Sequence, residues 1–367
     1  MDKNEAKVKL ESIIKERAKS AALVAQRVLT TVPQDSIVKA SALHFEPQDD
    51  STLVMSAGDQ AWGLHHHALR QVGERTGIPA VYVDRLMSGE SWQVEMLADL
   101  FNKTFGHSTD RHLVRAVGED DKARPTALAV LSDRFRRLDS RPIIESVFEA
   151  AQQCGAVPLS GTASMTRYAI KIVKPVVYTP VPGEHVVFGL EWFNSDFGNG
   201  KHAIRSFILR LVCINGMTAE DLLSQIHLGG RLADSIEFSK RTYELDTAAT
   251  VSAAKDVVKG GLSDEHVENL MARVRDANEK EVDWGGIKGR LGKILTKDEL
   301  RRVDEAFKGP DVVNLPPGET AWRASNALSW IANALEDDQR KLDFEKIAGG
   351  LIAGKVEAPP AVVEEAA

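Results

Sequence analysis

The chain has 367 residues, of which 43% are hydrophobic and 27% charged, and its formal net charge is −7. That length buries a sizeable core, in one large domain plus a smaller one, and the composition is that of an ordinary globular protein. The charge balance excludes a generally basic nucleic-acid binder, no apolar run reaches the length of a membrane span, and the mixed charges of MDKNEAKVKLESIIKERAKS predict no export signal.

Residues 3–30 place Val8, Ile13, Ile14, Leu23, Val24 and Val28 among charges at helical spacing, which predicts one helix stopping near Pro33. IVKASALHFE (37–46) alternates like a half-buried strand, with STLVMSA (51–57) as its hairpin partner. A helix is expected over about 60–76, capped by Asp59 and stopped by Gly77 and Pro79, and a second over 91–104. TALAVLSDRF (126–135) reads as a buried strand turning polar at its end. Asp139 or Ser140 then caps a helix that carries Pro142 in its first turn and runs to Gly155.

Three alternating segments follow: SMTRYAIKIVK (164–174), EHVVFGLEWFN (184–194) and HAIRSFILRLVCI (202–214). The last two flank a Gly-Asn-Gly turn at 198–200, chemistry suited to positive φ. After about 220 the pattern turns helical. Ser263 opens SDEHVENLMARVRDANEKE with acids in its first turn, and Thr296 with Glu299 forms a capping box. PPGE (316–319) breaks the chain before TAWRASNALSWIANALE, and EAPPAVVEEAA is expected as a disordered tail. The β-α-β-β-β order with short connections predicts the α+β class, a mostly antiparallel sheet backed by helices and followed by a helical C-terminal region. The expected divisions are an N-terminal helix (1–33), a central domain (34–220), a helical region (221–350) and the tail (351–367).

Cys154 and Cys213 lie in apolar segments with neither metal nor disulfide spacing, as expected of a reduced, cytoplasmic protein. Residues 103–215 hold 15 Lys/Arg and 11 Asp/Glu, a net +4 that leaves −11 for the rest of the chain. A basic centre between acidic flanks points to a local anion site. LSDRFRRLDSRP (131–142) packs Arg134, Arg136, Arg137 and Arg141 together, residues suited to bidentate phosphate contacts; Asp133 and Asp139 could instead neutralise them as surface pairs. On 164–174, Arg167, Ala169 and Lys171 project from one face and Tyr168, Ile170 and Ile172 from the other. Trp192, Asn194 and Asp196 share a face of the hairpin, and Lys201 and Arg205 share a face of the return strand. Arg210 points into the core, where it needs an acid such as Glu191 or Asp196.

Aromatic rings interleaved with basic residues fit the stacking-plus-electrostatics recipe for single-stranded nucleic acid, and any amphipathic sheet shows the same pattern. His65, His66 and His67 point about 100° apart on a helix, so they cannot share one metal ion and read as helix-surface histidines. GGIKGRLGK (285–293) lacks the ending and the preceding strand of a phosphate loop. No catalytic constellation is legible, and no cofactor or metal is expected.

Four segments occur in a recognisable order: ALRQVGERTGIPAVYVDRLM (68–87), AVLSDRFRRLDSRPIIE (129–145), WFNSDFGNGKHAIRSFILRLVCINGM (192–217) and ETAWRASNALSWIANAL (319–335). Together they resemble the phage/plasmid-like family of unknown function (domain of unknown function 932). The matching positions are Ile78, Pro79 and Tyr82; Leu131 to Arg136; Asn194, Ser195 and Gly198; Arg210, Cys213, Asn215 and Gly216; and Trp322, Asn326 and Ala327. The similarity spans roughly 35–340, with Phe135 where the family often has Tyr and Ile214 where it has Thr. The resemblance implies a mobile-element setting and no particular reaction.

Proteins of such elements often handle DNA, which by analogy favours a non-enzymatic protein binding single-stranded DNA in replication or recombination, by an annealing-type mechanism. Arg134, Arg136, Arg137, Arg141, Arg167, Lys171, Lys201 and Arg205 would then contact phosphates, with Trp192 or Phe197 stacking bases. Single-stranded DNA and further copies of the chain are the partners this reading admits, with no membrane. The alternatives are an enzyme holding a divalent ion near Asn194, Asp196, His202 and Asn215, and a phage scaffold or interaction protein whose basic face is solvated surface.

Overall fold

The computed structural model describes residues 1–48, 52–118, 124–212, 214–225, 239–309 and 315–354. It is an α+β protein with two mostly antiparallel sheets. Helix α1 (Lys3–Thr30) starts at a capping box in which the Asp2 side chain accepts from Glu5 N and the Glu5 carboxylate accepts from Asp2 N. Its buried face runs through Ala6, Leu10, Ile13, Ala21, Val24 and Val28.

The first sheet comprises β1 (Gln34–Lys39), β2 (His44–Pro47), β3 (Leu53–Ala57), β4 (Gln60–Leu64), β5 (Arg111–Val117) and β6 (Thr126–Ser132). Its order is β1-β5-β6-β4-β3-β2, and only β4 and β6 run parallel. Helices α2 (His66–Arg75), α3 (Ala80–Met87) and α4 (Ser91–Gly106) cover it, closing a core around Phe45, Met55, Trp62, Val72, Leu97 and Phe101. The helix expected over 60–76 is therefore shorter. Ala57 pairs with Gln60 across a two-residue Gly58-Asp59 turn, Trp62 goes into the core from a strand, and His65 rather than Asp59 caps α2.

Helix α5 (Ser140–Gln153) leads into the second sheet: β7 (Val157–Ala163), β8 (Tyr168–Val173), β9 (Tyr178–Val181), β10 (Glu184–Asn194), β11 (His202–Arg210) and β12 (Asn215–Gln225). Its order is β12-β11-β10-β8-β7, with β9 also pairing β10, all antiparallel. The strand 215–225 thus carries the sheet past 221, where the helical region was expected to begin. Helices α6 (Lys240–Gly261), α7 (Asp264–Glu279), α8 (Trp284–Leu291), α9 (Lys297–Lys308), α10 (Ala321–Asn333) and α11 (Asp338–Ile352) follow.

Alternation decides what each face of this sheet meets. Ile170, Ile172, Leu190, Trp192 and Ile204 pack under α5 and α6, and Val186 and Phe188 pack under the C-terminal helices. Val173, Val187, Phe207 and Leu209 face the other way, against Leu10 and Ile13 of α1. Arg210 is buried, as its place in an apolar run requires, but its acid is Glu184, not Glu191 or Asp196. The guanidinium donates to both Glu184 oxygens at 2.5 and 2.7 Å, and Trp322 Nε1 donates to Oε2 at 3.1 Å. Two positions of the family-like motifs therefore converge on one carboxylate.

GGIKGRLGK lies in and just beyond α8. Cys213 and residues 355–367 of the expected tail lie outside the described residues, while 351 and 352 close α11. Among the described residues, no helix is long and apolar enough to cross a membrane.

Candidate functional site

The hairpin between β10 and β11 opens the way to the site. Gly198 and Gly200 adopt φ of +72° and +138°, the backbone the Gly-Asn-Gly turn predicts. The loop before them joins the two sheets. Asp196 Oδ1 accepts from Ser140 N at 2.8 Å and Ser140 Oγ at 2.6 Å, and its backbone carbonyl accepts from Arg115 Nη1 of β5 at 2.6 Å. Asn194 Nδ2 donates to Leu138 O at 2.7 Å, and Ser195 Oγ donates to Thr166 O at 2.7 Å. Gln71 and His67 of α2 both reach the Phe197 carbonyl, at 3.2 and 3.0 Å. Burial, with Asp139 nearby, pushes the Asp196 carboxyl up to about 7 despite its donors.

The residues of the divalent-ion alternative do not assemble. Asn194 and Asp196 touch at 3.3 Å, but His202 and Asn215 stand at opposite ends of the β11–β12 ladder. Among the described residues, no group of three or more His, Cys, Asp or Glu side chains is arranged to hold a metal ion.

Beside this loop lies a cleft of about 550 Å³. One wall is β7 and the turn after it, 159–167; the floor is the polar face of β8 and β10; the far side is α10 and α11. His65 and His66 at the head of α2 and Arg17 of α1 complete the mouth. His67, read as a surface residue, instead turns inward to the hairpin, and its burial lowers the imidazole to about 4. Ile214 on the cleft wall sits at φ 57°, a sparsely populated conformation for a β-branched residue, and its carbonyl accepts from Asn333 Nδ2 at 3.3 Å.

The floor holds a buried ion network. Lys171 Nζ donates to both Glu345 oxygens at 2.9 and 2.8 Å and lies 3.8 Å from Glu191. Arg205 lies between Glu191 at 3.9 Å and Asp221 at 2.9 Å, and Lys201 joins Asp221 at 2.9 Å. Burial alone would lower the Lys171 ammonium, but Glu345 and Glu191 outweigh it and raise it, so it stays charged. Burial raises Glu191, reinforced by Glu345 and opposed by Lys171 and Arg205.

The residues expected to contact nucleic acid fall into three groups. Arg167 and Lys171 line the cleft, on the shared face that alternation assigns them, and Arg167 Nε donates to the Asn199 carbonyl. Lys201 and Arg205 belong to the ion network behind it. The cluster from 134 to 141 lies elsewhere, and only its middle pair is drawn into the fold. Arg136 clamps Asp246 at 2.6 and 2.5 Å; Arg137 donates to Asp35 at 2.7 Å and lies over the Tyr243 ring; Arg141 pairs with Glu145 at 3.8 Å. Arg134 is exposed where β6 ends.

Trp192 and Phe197 cannot stack bases. They are 1% and 0% exposed, Trp192 in the core beneath α5 and α6 and Phe197 against Leu113 and Leu131. The aromatic–basic alternation therefore serves the core on one face and the ion network on the other.

Arg17, Lys341 and Glu345 belong to the site without any signal in the sequence. They come from helices far from the hairpin in the chain, and only the packing of α1 and α11 around the sheet brings them to it. Comparison of the chain with protein-family models, curated proteins and solved structures returns no match. The functional reading rests on the cleft.

Proposed function

We propose that the protein binds single-stranded nucleic acid through this cleft. The supporting observation is its charge balance: the lining carries four cations, Arg17, Arg167, Lys171 and Lys341, against two carboxylates, Glu191 and Glu345. Both carboxylates are buried in the floor beside Lys171, so the excess positive charge faces the opening. Among the described residues, neither Arg17 nor Lys341 enters an ion pair, which leaves two long cationic side chains at the mouth for a phosphate.

The cleft volume matches a ligand of one or two nucleotides. A longer strand would continue along the exposed rim rather than thread a duplex. The arginines at 136 and 137 are not part of the contact set in this reading, because they hold Asp246 and Asp35. In the mobile-element setting that the resemblance implies, such a protein would serve replication or recombination, including annealing of complementary strands.

Fluorescence-anisotropy titration of labelled single-stranded and duplex DNA, at about 50 and 200 mM salt, tests the proposal. Single-strand affinity should fall steeply between the two salts. Each cation lost from a single-strand contact flattens the salt slope by about 0.7, so Arg17→Ala/Lys341→Ala should flatten it by about 1.4. No binding at the lower salt sinks the proposal. A mononucleotide that competes as well as the oligonucleotide replaces it with a small anionic ligand in the same cleft.

A further inference from the structure

One acid on the cleft floor differs from its neighbours. Lys171 Nζ donates to both oxygens of Glu345, and Lys201 Nζ donates to Asp221. Glu191 borders the same cleft with its side chain only 2% exposed. The Lys171 ammonium stands 3.8 Å from it and the Arg205 guanidinium 3.9 Å, both beyond hydrogen-bond reach. Its Oε2 accepts no hydrogen bond from the described residues. A buried carboxylate in this state carries a desolvation cost that a donor on a ligand would offset. Two residues further along the same face of β10, Phe193 also borders the cleft, and Ala169 of β8 is its cross-strand partner there. An acceptor thus lies next to a small apolar patch.

An ionised carboxylate accepts and cannot donate, and its two oxygens suit two donors side by side. Guanine offers that pair on its Watson–Crick edge, with N1–H next to the N2 amino group. Adenine and cytosine each set one amino group beside a ring-nitrogen acceptor, and thymine sets N3–H between two carbonyls. Each of these three brings a lone pair against the carboxylate. We infer that the cleft reads a guanine base, whose N1–H and N2–H donate to the Glu191 carboxylate while its ring lies against Phe193 and Ala169. An unstacked base of a single strand presents this edge freely, whereas a duplex hides it in pairing. Arg17 and Lys341 at the mouth then hold the flanking phosphates. The inference rests on the nucleic-acid reading of the cleft and names the base that the cleft prefers.

Competition anisotropy with the full chain and short dT strands, each carrying one different base at its centre, tests it. A central dG should bind about tenfold tighter than dT, dA or dC at that position. Deoxyinosine, which lacks the N2 amino group, and O6-methyl-dG, which lacks N1–H, should lose most of that gain. The 7-deaza analogue of dG should keep it, because N7 is not read. Glu191→Gln should erase the dG preference, and a preference that survives it overturns the inference. Equal affinity for every strand, with binding still salt-sensitive, also overturns it and leaves the nucleic-acid reading standing. No binding by any strand overturns both. A preference kept by deoxyinosine but lost with the 7-deaza analogue overturns it too, by moving the contact to the O6 and N7 edge that arginine reads. If Glu191→Gln unfolds the chain, the modified bases decide, since they alter only the ligand.

Discussion

Asp196 is fully buried, yet it ties the hairpin to the first turn of α5 through two hydrogen bonds from Ser140. Its carboxyl titrates near 7 in the folded chain against about 3.9 for a free aspartate. Below the unfolded value both states are protonated. Between the two values the folded state holds the extra proton, so this group makes stability fall as pH rises from about 4 to 7 and stay level above that. Asp196→Asn should flatten that part of the profile, measured as urea midpoints across the range; an unchanged profile would contradict the assignment. Glu299, hydrogen-bonded by Arg340, and Asp304, where Lys288 and Trp284 outweigh its burial, lie near 2 and act with the opposite sign. Their stabilisation is present above the ordinary carboxylate range and is lost as pH falls towards 2. The two windows separate. Glu184 is the second residue with a sharp expectation. Glu184→Gln removes the buried carboxylate charge that Arg210 pairs with, which costs about 3–5 kcal/mol in unfolding experiments. A loss below about 1 kcal/mol would show that the pair is solvated.

Elements with strong local signals were legible in the sequence. Periodicity, the caps at Ser263 and Thr296 and the break at 316–319 locate α1, α7, α9 and α10, and alternation sorts the two faces of β8, β10 and β11. What escaped were strands without a clean alternation, although each pairs with a neighbour in the chain: β4, β7, β9 and β12. The β3–β4 turn had a local signature in Gly58-Asp59, which the apolar run after it masked. That Arg210 needs an acid followed from its setting, but not which acid, since Glu184 lies 26 residues earlier on the neighbouring strand. The turn at 198–200 permits a direct check. Gly198→Ala forces an alanine into positive φ with Leu131 against its new methyl group, and should lower stability by about 1 kcal/mol or more in thermal melts. A neutral effect would mean that the loop relaxes freely.

At the scale of the molecule, the cleft exists because three parts of the chain meet over one sheet face: α1 on one side, the head of α2 with the hairpin above, and α11 on the other. No local pattern announces that meeting, which is why the sequence pointed to the arginines at 134–141 and missed Arg17 and Lys341. A basic run in sequence becomes a binding surface only if the fold leaves it unmatched, and here Asp35 and Asp246 match Arg137 and Arg136. Under the proposed function, nucleic acid sits in the cleft. Photo-crosslinking of bromodeoxyuridine-substituted single-stranded DNA, followed by peptide mapping, tests it most directly. The account predicts crosslinks to peptides spanning 159–171 and 333–345, lost in Arg17→Ala/Lys341→Ala. Crosslinks confined to 131–142, or none above background at low salt, would contradict it.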